Sequence, residues 1–289
     1  MEILQLLIIG VSQGCVYGLI ALGFVLIYKA TEMVNFAQGD MMMLGAFVAF
    51  SLANLAGLPF VLVFAATLLI MAVFGMALER GLLRSMIGEP PFAVLMLTIG
   101  LGFVIRAVAG AIWGNQPRAL DSPFAGGIVE IQGLIIGHEN IAIVVGTALL
   151  CAALYLFFRF TRLGIAMQAA SQNQLAAYYL GIPVKRVFSL VWAISAAIAA
   201  AAGILVAPVS LIDPLMGFVG IKAFAAAIVG GFGSLPGAIV GGLVIGIAEQ
   251  FVYLFLPPGV SEVSAFVLLL AMLIVRPEGI FATLQQKKV

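Results

Sequence analysis

Three polar clusters interrupt a chain that is otherwise almost continuously apolar, and they hold its main chemistry-bearing side chains. The first is Thr31–Gly45, TEMVNFAQGDMMMLG, in which Asn35, Gln38 and Asp40 surround Gly39. Polar and charged groups at the start of a membrane span are costly to bury and are functional candidates by default. Asp40 also has a structural reading, because a carboxylate in the first turn of a helix can cap it and is favoured by its dipole. Met41, Met42 and Met43 read as core or lipid contacts.

The second cluster is Lys222 with Glu249, each alone in an apolar stretch, Glu249 standing beside Gln250. Such groups need a partner or water. Glu249 can pair with Lys222 or Arg106, or face an outer vestibule; a structural ion pair is favoured over substrate contact. The third is Arg159–Arg186, a polar island opened by Arg159 and Arg162 and closed by Lys185 and Arg186. Ile165 to Leu180 reads as one short helix, stopped by Gly181 and Pro183. A long helical loop on a membrane protein reads as a docking helix for a cytosolic partner; the alternative is an ordinary loop at the membrane surface.

Reaction chemistry has no comparable signal. The sequence lacks a clustered acidic pair and a Ser–His or His–Cys arrangement. His138 is its single histidine, which excludes a histidine-based metal cluster. Cys15 and Cys151 lie in apolar runs, where cysteine behaves as a small hydrophobe. The phosphate-binding pattern G-x-x-x-x-G-K-[ST] is absent, so uphill work would draw on a bound partner or an ion gradient.

The elements that must position these residues are membrane helices. The 289-residue chain is 64% hydrophobic and 9% charged, with a mean hydropathy of +1.25, beyond what a water-soluble fold of this length tolerates. Only helices and closed barrels satisfy their backbone in hydrocarbon, and apolar runs of about 20 residues without period-two alternation are helices. A net charge of +1 gives no support to a nucleic-acid partner.

The expected fold is an all-α polytopic membrane protein, one transmembrane domain over residues 1–289 with a cytoplasmic loop at 159–186. Spans are expected at Leu4–Tyr28, Phe36–Leu55, Phe60–Leu83, Phe92–Trp113, Asn140–Phe158, Val187–Ala207, Gly217–Gly233, Pro236–Leu256 and Ser261–Val275. That gives about nine helices, with eight to ten possible; Gly217–Gly233 is short and Gly-rich enough to be a broken or re-entrant segment. A polar outer loop is expected at Gly114–Glu139.

Lys and Arg set the orientation. Placing 159–186 in the cytoplasm puts Lys29, Arg80, Arg84, Arg159, Arg162, Lys185, Arg186, Arg276, Lys287 and Lys288 there, with Arg118 outside and Arg106 and Lys222 snorkelling near the outer face. The N-terminus is then outside, the C-terminus cytoplasmic and the crossing number odd. With Glu2 where a signal peptide would be basic, the first apolar run reads as a retained span.

From Asp213 to Gly242 small residues dominate. Gly230, Gly231, Gly233, Pro236 and Gly237 join two helices through a tight break, and close helix packing is the favoured role; a wall that rocks during transport is the functional alternative.

These stretches together resemble a known family. Gly18–Gly23, Asn35-Phe36-Ala37-Gln38-Gly39-Asp40, Arg162-Leu163-Gly164 through Leu180-Gly181-Ile182, Ala201-Ala202-Gly203, Gly217-Phe218, Lys222-Ala223-Phe224, Gly230–Gly237 and Arg276-Pro277-Glu278-Gly279-Ile280 are similar to the LivH-type permeases of branched-chain amino acid ABC transporters. The resemblance covers nearly the whole chain and implies a non-catalytic, multi-pass subunit of the cytoplasmic (inner) membrane. It implies two cytosolic ATPases, which carry the ATP and magnesium, a second permease (LivM type, or a second copy) and an extracytoplasmic binding protein delivering leucine, isoleucine or valine. The implied translocation pathway draws on Asn35, Phe36, Gln38, Gly39, Asp40, Lys222 and Glu249. The implied ATPase coupling draws on Arg162, Gly164, Ala166, Ala169, Ala170, Ser171, Asn173, Ala176 and Gly181. A related permease for urea, short amides or other amino acids, a sugar or nucleoside importer, and a secondary transporter are the rivals.

Overall fold

Glycine decides which helices meet. In α1 (Glu2–Thr31) Gly10, Gly14 and Gly18 recur every fourth position, so they share one face. That face lies antiparallel on α10 (Leu235–Phe255): a Cβ on Gly14 would stand 2.7 Å from Leu243 Cα, and one on Gly242 2.5 Å from Gly18 Cα. Backbones this close gain dispersion contacts that longer side chains would prevent. The structure, a computed structural model, describes residues 2–131, 133–257 and 259–281. Lys287 and Lys288, used above for orientation, lie outside the described residues.

The remaining long helices assemble around α8 (Val184–Val206), whose run Ala199–Ala202 is fully buried. Small residues again set the distance to α2 (Gln38–Ala56) and α3 (Phe60–Gly81). Cβ atoms on Gly45 and Gly75 would each lie 2.5 Å from α8, at Ala200 Cα and the Trp192 carbonyl. Next come α4 (Pro91–Trp113), begun by a proline in its first turn, and α5 (His138–Phe160). Proline there costs no hydrogen bond. Two short helices, α6 (Arg162–Gln172) and α7 (Gln174–Tyr179), precede α8, and α9 (Val219–Gly230) and α11 (Val260–Val275) complete the set.

The chain is thus mainly helical, as expected of an all-α polytopic membrane protein, with three departures. Among the described residues, six helices (α1, α3, α4, α5, α8 and α10) are long and apolar enough to cross a membrane. The segment expected as a span at Gly217–Gly233 instead contains α9, whose 12 residues reach about 18 Å against a hydrocarbon core of about 30 Å. It follows an irregular stretch and a 3₁₀ turn at Met216–Phe218, as the broken alternative would have it.

Second, the polar loop expected at Gly114–Glu139 is not wholly irregular. Ile128–Ile131 (β1) and Leu134–Gly137 (β2) pair antiparallel as a hairpin, whose turn carries Gly133 at φ 82°, and Arg118 exchanges both backbone hydrogen bonds with Ile212 at 2.9 and 2.8 Å. Third, the single helix expected over Ile165–Leu180 is two. Asn173 leaves the helical region at φ −156°, ψ 104°, and its side chain caps α7 by accepting from the Ala176 amide. A short amide side chain that competes for backbone donors favours a cap over a helix interior.

Candidate functional site

Helix α2 begins inside the bundle rather than at its edge, because Gln38 sits against the middle of α8. Gln38 Nε2 donates to the Ser195 carbonyl at 3.2 Å, and Ser195 Oγ lies 3.0 Å from the Gly23 carbonyl of α1 and 3.1 Å from Gln38 Oε1. Asn35 Nδ2 donates to Gln38 Oε1 at 3.2 Å, and its Oδ1 accepts from the Ala37 amide. All three side chains are fully buried. This closed network pins the start of α2 to α1 and α8, and its partners leave none of it unpaired, as buried amides require.

Asp40, two residues on, does not cap α2 with a hydrogen bond. It pairs with Arg106 of α4, which donates to Asp40 Oδ1 from Nη2 at 2.8 Å and from Nε at 3.2 Å. The guanidinium carbon lies 3.9 Å from the Phe218 ring centroid and 5.4 Å from that of Phe103, so an aromatic face holds the planar group. Three glycines make room. A Cβ on Gly102 or Gly217 would collide with the Asp40 carboxylate, and one on Gly39 would lie 2.8 Å from Gly220 Cα. Phe36, half-buried, packs 4.9 Å from Phe224, itself 5.6 Å from Phe232.

Of the partners open to Glu249, the structure selects Lys222: Nζ donates to Glu249 Oε1 at 2.6 Å. The other oxygen accepts from Tyr17 Oη at 2.7 Å, and the chain continues through Gln13 to Gln250. Arg106 instead takes Asp40. A third pair, with its carboxylate buried and its cation partly exposed, escaped the sequence reading. Glu79 of α3 is met by Arg84 at 2.8 Å, and both bond the Ser189 hydroxyl of α8. Its signal was the carboxylate at Glu79 ending an apolar helix five residues before a basic side chain.

In the 159–186 region, Thr161 caps α6 by accepting from the Gly164 amide. Gly164, Met167, Ala170 and Ala177 face inward, Gly164 so closely that a Cβ would lie 2.7 Å from Phe158 Cα. Ala166, Ala169 and Ser171 are half-buried, while Arg162, Asn173, Ala176 and Gly181 are exposed. Outward, α7 and the residue after it present Leu175, Tyr178, Tyr179 and Leu180, the last two 77% and 80% exposed. Those four are absent from the coupling residues expected from the sequence.

Between α9 and α10, Gly230 and Gly237 touch backbone to backbone, Gly231 adopts φ 109° and the half-buried Gly233 lies in the turn; Pro236 is in the first turn of α10. The Arg276–Phe281 tail folds over this junction, with Ile280 and Phe281 amides donating to Val229 and Gly230 carbonyls at 2.9 and 3.0 Å. Among the described residues, no group of three or more His, Cys, Asp or Glu could hold a metal, and Cys15 and Cys151 are free.

Long apolar helices, buried charge pairs inside them and a helical loop with an exposed aromatic face define a polytopic α-helical membrane protein. The chain belongs to the family described as branched-chain amino acid transport system / permease component, whose model matches residues 6–276. It is 33% identical to the high-affinity branched-chain amino acid transport system permease protein BraD of Pseudomonas aeruginosa, over 99% of this chain and 98% of that one. It is 34% identical to LivH of Escherichia coli K12, over 99% and 97%, and 28% identical to the fructose import permease protein FruG of Bifidobacterium longum, over 88% and 77%. In fold, it is similar to a chain of PsaBC from Streptococcus pneumoniae solved with a Fab (TM-score 0.50, 15% identity, 93% of this chain and 91% of that one).

Proposed function

We propose that this chain is the permease subunit of an ATP-driven ABC importer that carries leucine, isoleucine or valine across the cytoplasmic membrane. The observation that carries the substrate is end-to-end similarity to relatives named as branched-chain amino acid permeases, at higher identity than to the fructose permease. The subunit itself is non-catalytic; ATP and magnesium belong to two cytosolic ATPases. A second permease, LivM-like or another copy, completes the pathway, and an extracytoplasmic protein delivers the substrate. The N-terminus faces outward and the 159–186 loop the cytoplasm, with α2, α9 and α11 raising the six long helices toward nine membrane-inserted elements.

Coupling follows from rigidity. ATPase closure would push on α6 and α7, whose exposed aromatic face suits a protein groove. The push would reach α8 directly through Ile182 and Pro183, and α3 through the Glu79–Arg84–Ser189 contacts, so that packed helices tilt as a body and access alternates. The pathway candidates divide in this reading: the Asp40–Arg106 and Lys222–Glu249 pairs, whose cations are the more exposed members, face the pathway, while Asn35 and Gln38 fix its wall.

The test is co-expression with the neighbouring genes, scoring copurified ATPase and radiolabelled leucine uptake in proteoliposomes. Uptake that needs ATP supports the reading. An ATPase without leucine uptake moves the substrate to urea, amides, other amino acids or sugars; no ATPase at all returns the question to a secondary transporter.

A further inference from the structure

We propose that the groove between α4 and the Asp213–Leu215 turn binds a free amino-acid zwitterion with an apolar side chain, Arg106 receiving its carboxylate and Asp213 its ammonium. The inference deepens the substrate reading above and rests on it. The groove has a volume of about 840 Å³, within the range of about 300–1,000 Å³ usual for small-molecule sites. Its walls include Phe103, Ala111, Pro214 and Leu215, and both charged residues open onto it.

Each charge is held by one edge and offers another. Arg106 engages Asp40 through Nε and Nη2, while its Nη1 makes no hydrogen bond among the described residues. Guanidinium donors form a rigid fork, so an anchored edge aims the remaining one. Asp213 accepts the Leu215 and Met216 amides on Oδ1 alone, at 2.6 and 3.0 Å, and its Oδ2 makes no hydrogen bond among the described residues. The turn thereby fixes a carboxylate whose second oxygen is available.

Charge selects the ligand class. A simple anion would meet the free edge of Arg106 but be repelled by Asp213 and Asp40, and a simple cation would meet Asp213 but leave that edge without an acceptor. Urea or a sugar would leave Asp213 without a cation and the apolar wall unused. A zwitterion with an aliphatic side chain satisfies both charges and covers the Phe103–Leu215 surface.

The experiment uses the assembled transporter with its partner subunits, labelled with a diazirine analogue of leucine and mapped by peptide mass spectrometry. Label is expected on the peptides holding Phe103–Ala111 and Asp213–Leu215. Leucine should compete for it about tenfold better than isoamylamine or 4-methylpentanoate, each of which lacks one charge, since a hydrogen bond to a charged group is worth about that factor. In Asp213→Asn, which keeps the Oδ1 acceptor of the turn, the penalty on 4-methylpentanoate should vanish and that on isoamylamine remain. Label elsewhere, equal competition by all three compounds, or an unchanged penalty in the variant overturns the assignment while leucine uptake persists. Loss of leucine uptake from the unsubstituted transporter would instead overturn the substrate reading.

Discussion

Asp40 and Arg106 neutralise one another where either charge alone would be costly, their side chains 8% and 16% exposed. Removing one partner of such a pair costs about 3–5 kcal/mol, whereas removing both is nearly neutral. Asp40→Ala should therefore lower the melting temperature of the solubilised protein sharply, and Asp40→Ala with Arg106→Met should restore most of it. A double variant no more stable than Asp40→Ala would show that the carboxylate is held for another reason. The sequence flagged Asp40 as expensive but assigned Arg106 to snorkelling, because 66 positions separate them and no local spacing joins α2 to α4. For Glu249 it had the right partner among its options, since Lys222 and Glu249 both stood out as isolated charges.

At the scale of the helix, glycine and the 159–186 loop carry the consequences. Gly14→Leu should abolish stable insertion, because its side chain would collide with α10 backbone at Leu243; Gly81→Leu, at a position where nothing approaches a Cβ, should be accepted. Expression and size-exclusion profiles separate the two. In the loop, Tyr179→Ala with Leu180→Ala should leave the protein folded yet lower uptake and ATPase binding about tenfold or more, as loss of an aromatic anchor does. Gly164→Leu should act differently, reducing folding itself, because α6 rests on α5 there. Uptake unchanged in the Tyr179/Leu180 variant would remove α7 from the docking surface. The polar island, its basic flanks and its Gly181 stop were legible from residue types alone. The break at Asn173 was not: one residue's change of backbone region interrupts a pattern that otherwise stays helical.

Across the whole molecule, the Glu79–Arg84–Ser189 contact joins α3 to α8 beside the point where the loop enters the bundle. Arg84→Ala should lower leucine imported per ATP hydrolysed more than it lowers ATP hydrolysis, and Arg84→Lys should recover part of that ratio. A proportional fall in both would make the contact merely structural. Composition determined that the chain lives in a bilayer, where only helices and closed barrels satisfy a backbone, and apolar runs of about 20 residues without period-two alternation made the elements helices. The charge bias and the motif set determined the family and pointed to the loop. Tertiary structure decided which costly side chains neutralise one another, which glycines admit a neighbouring backbone, and that α9 is too short to cross unaided. Those outcomes depend on contacts between residues far apart in sequence, and a local pattern registers the cost of burying a group without registering what will offset it.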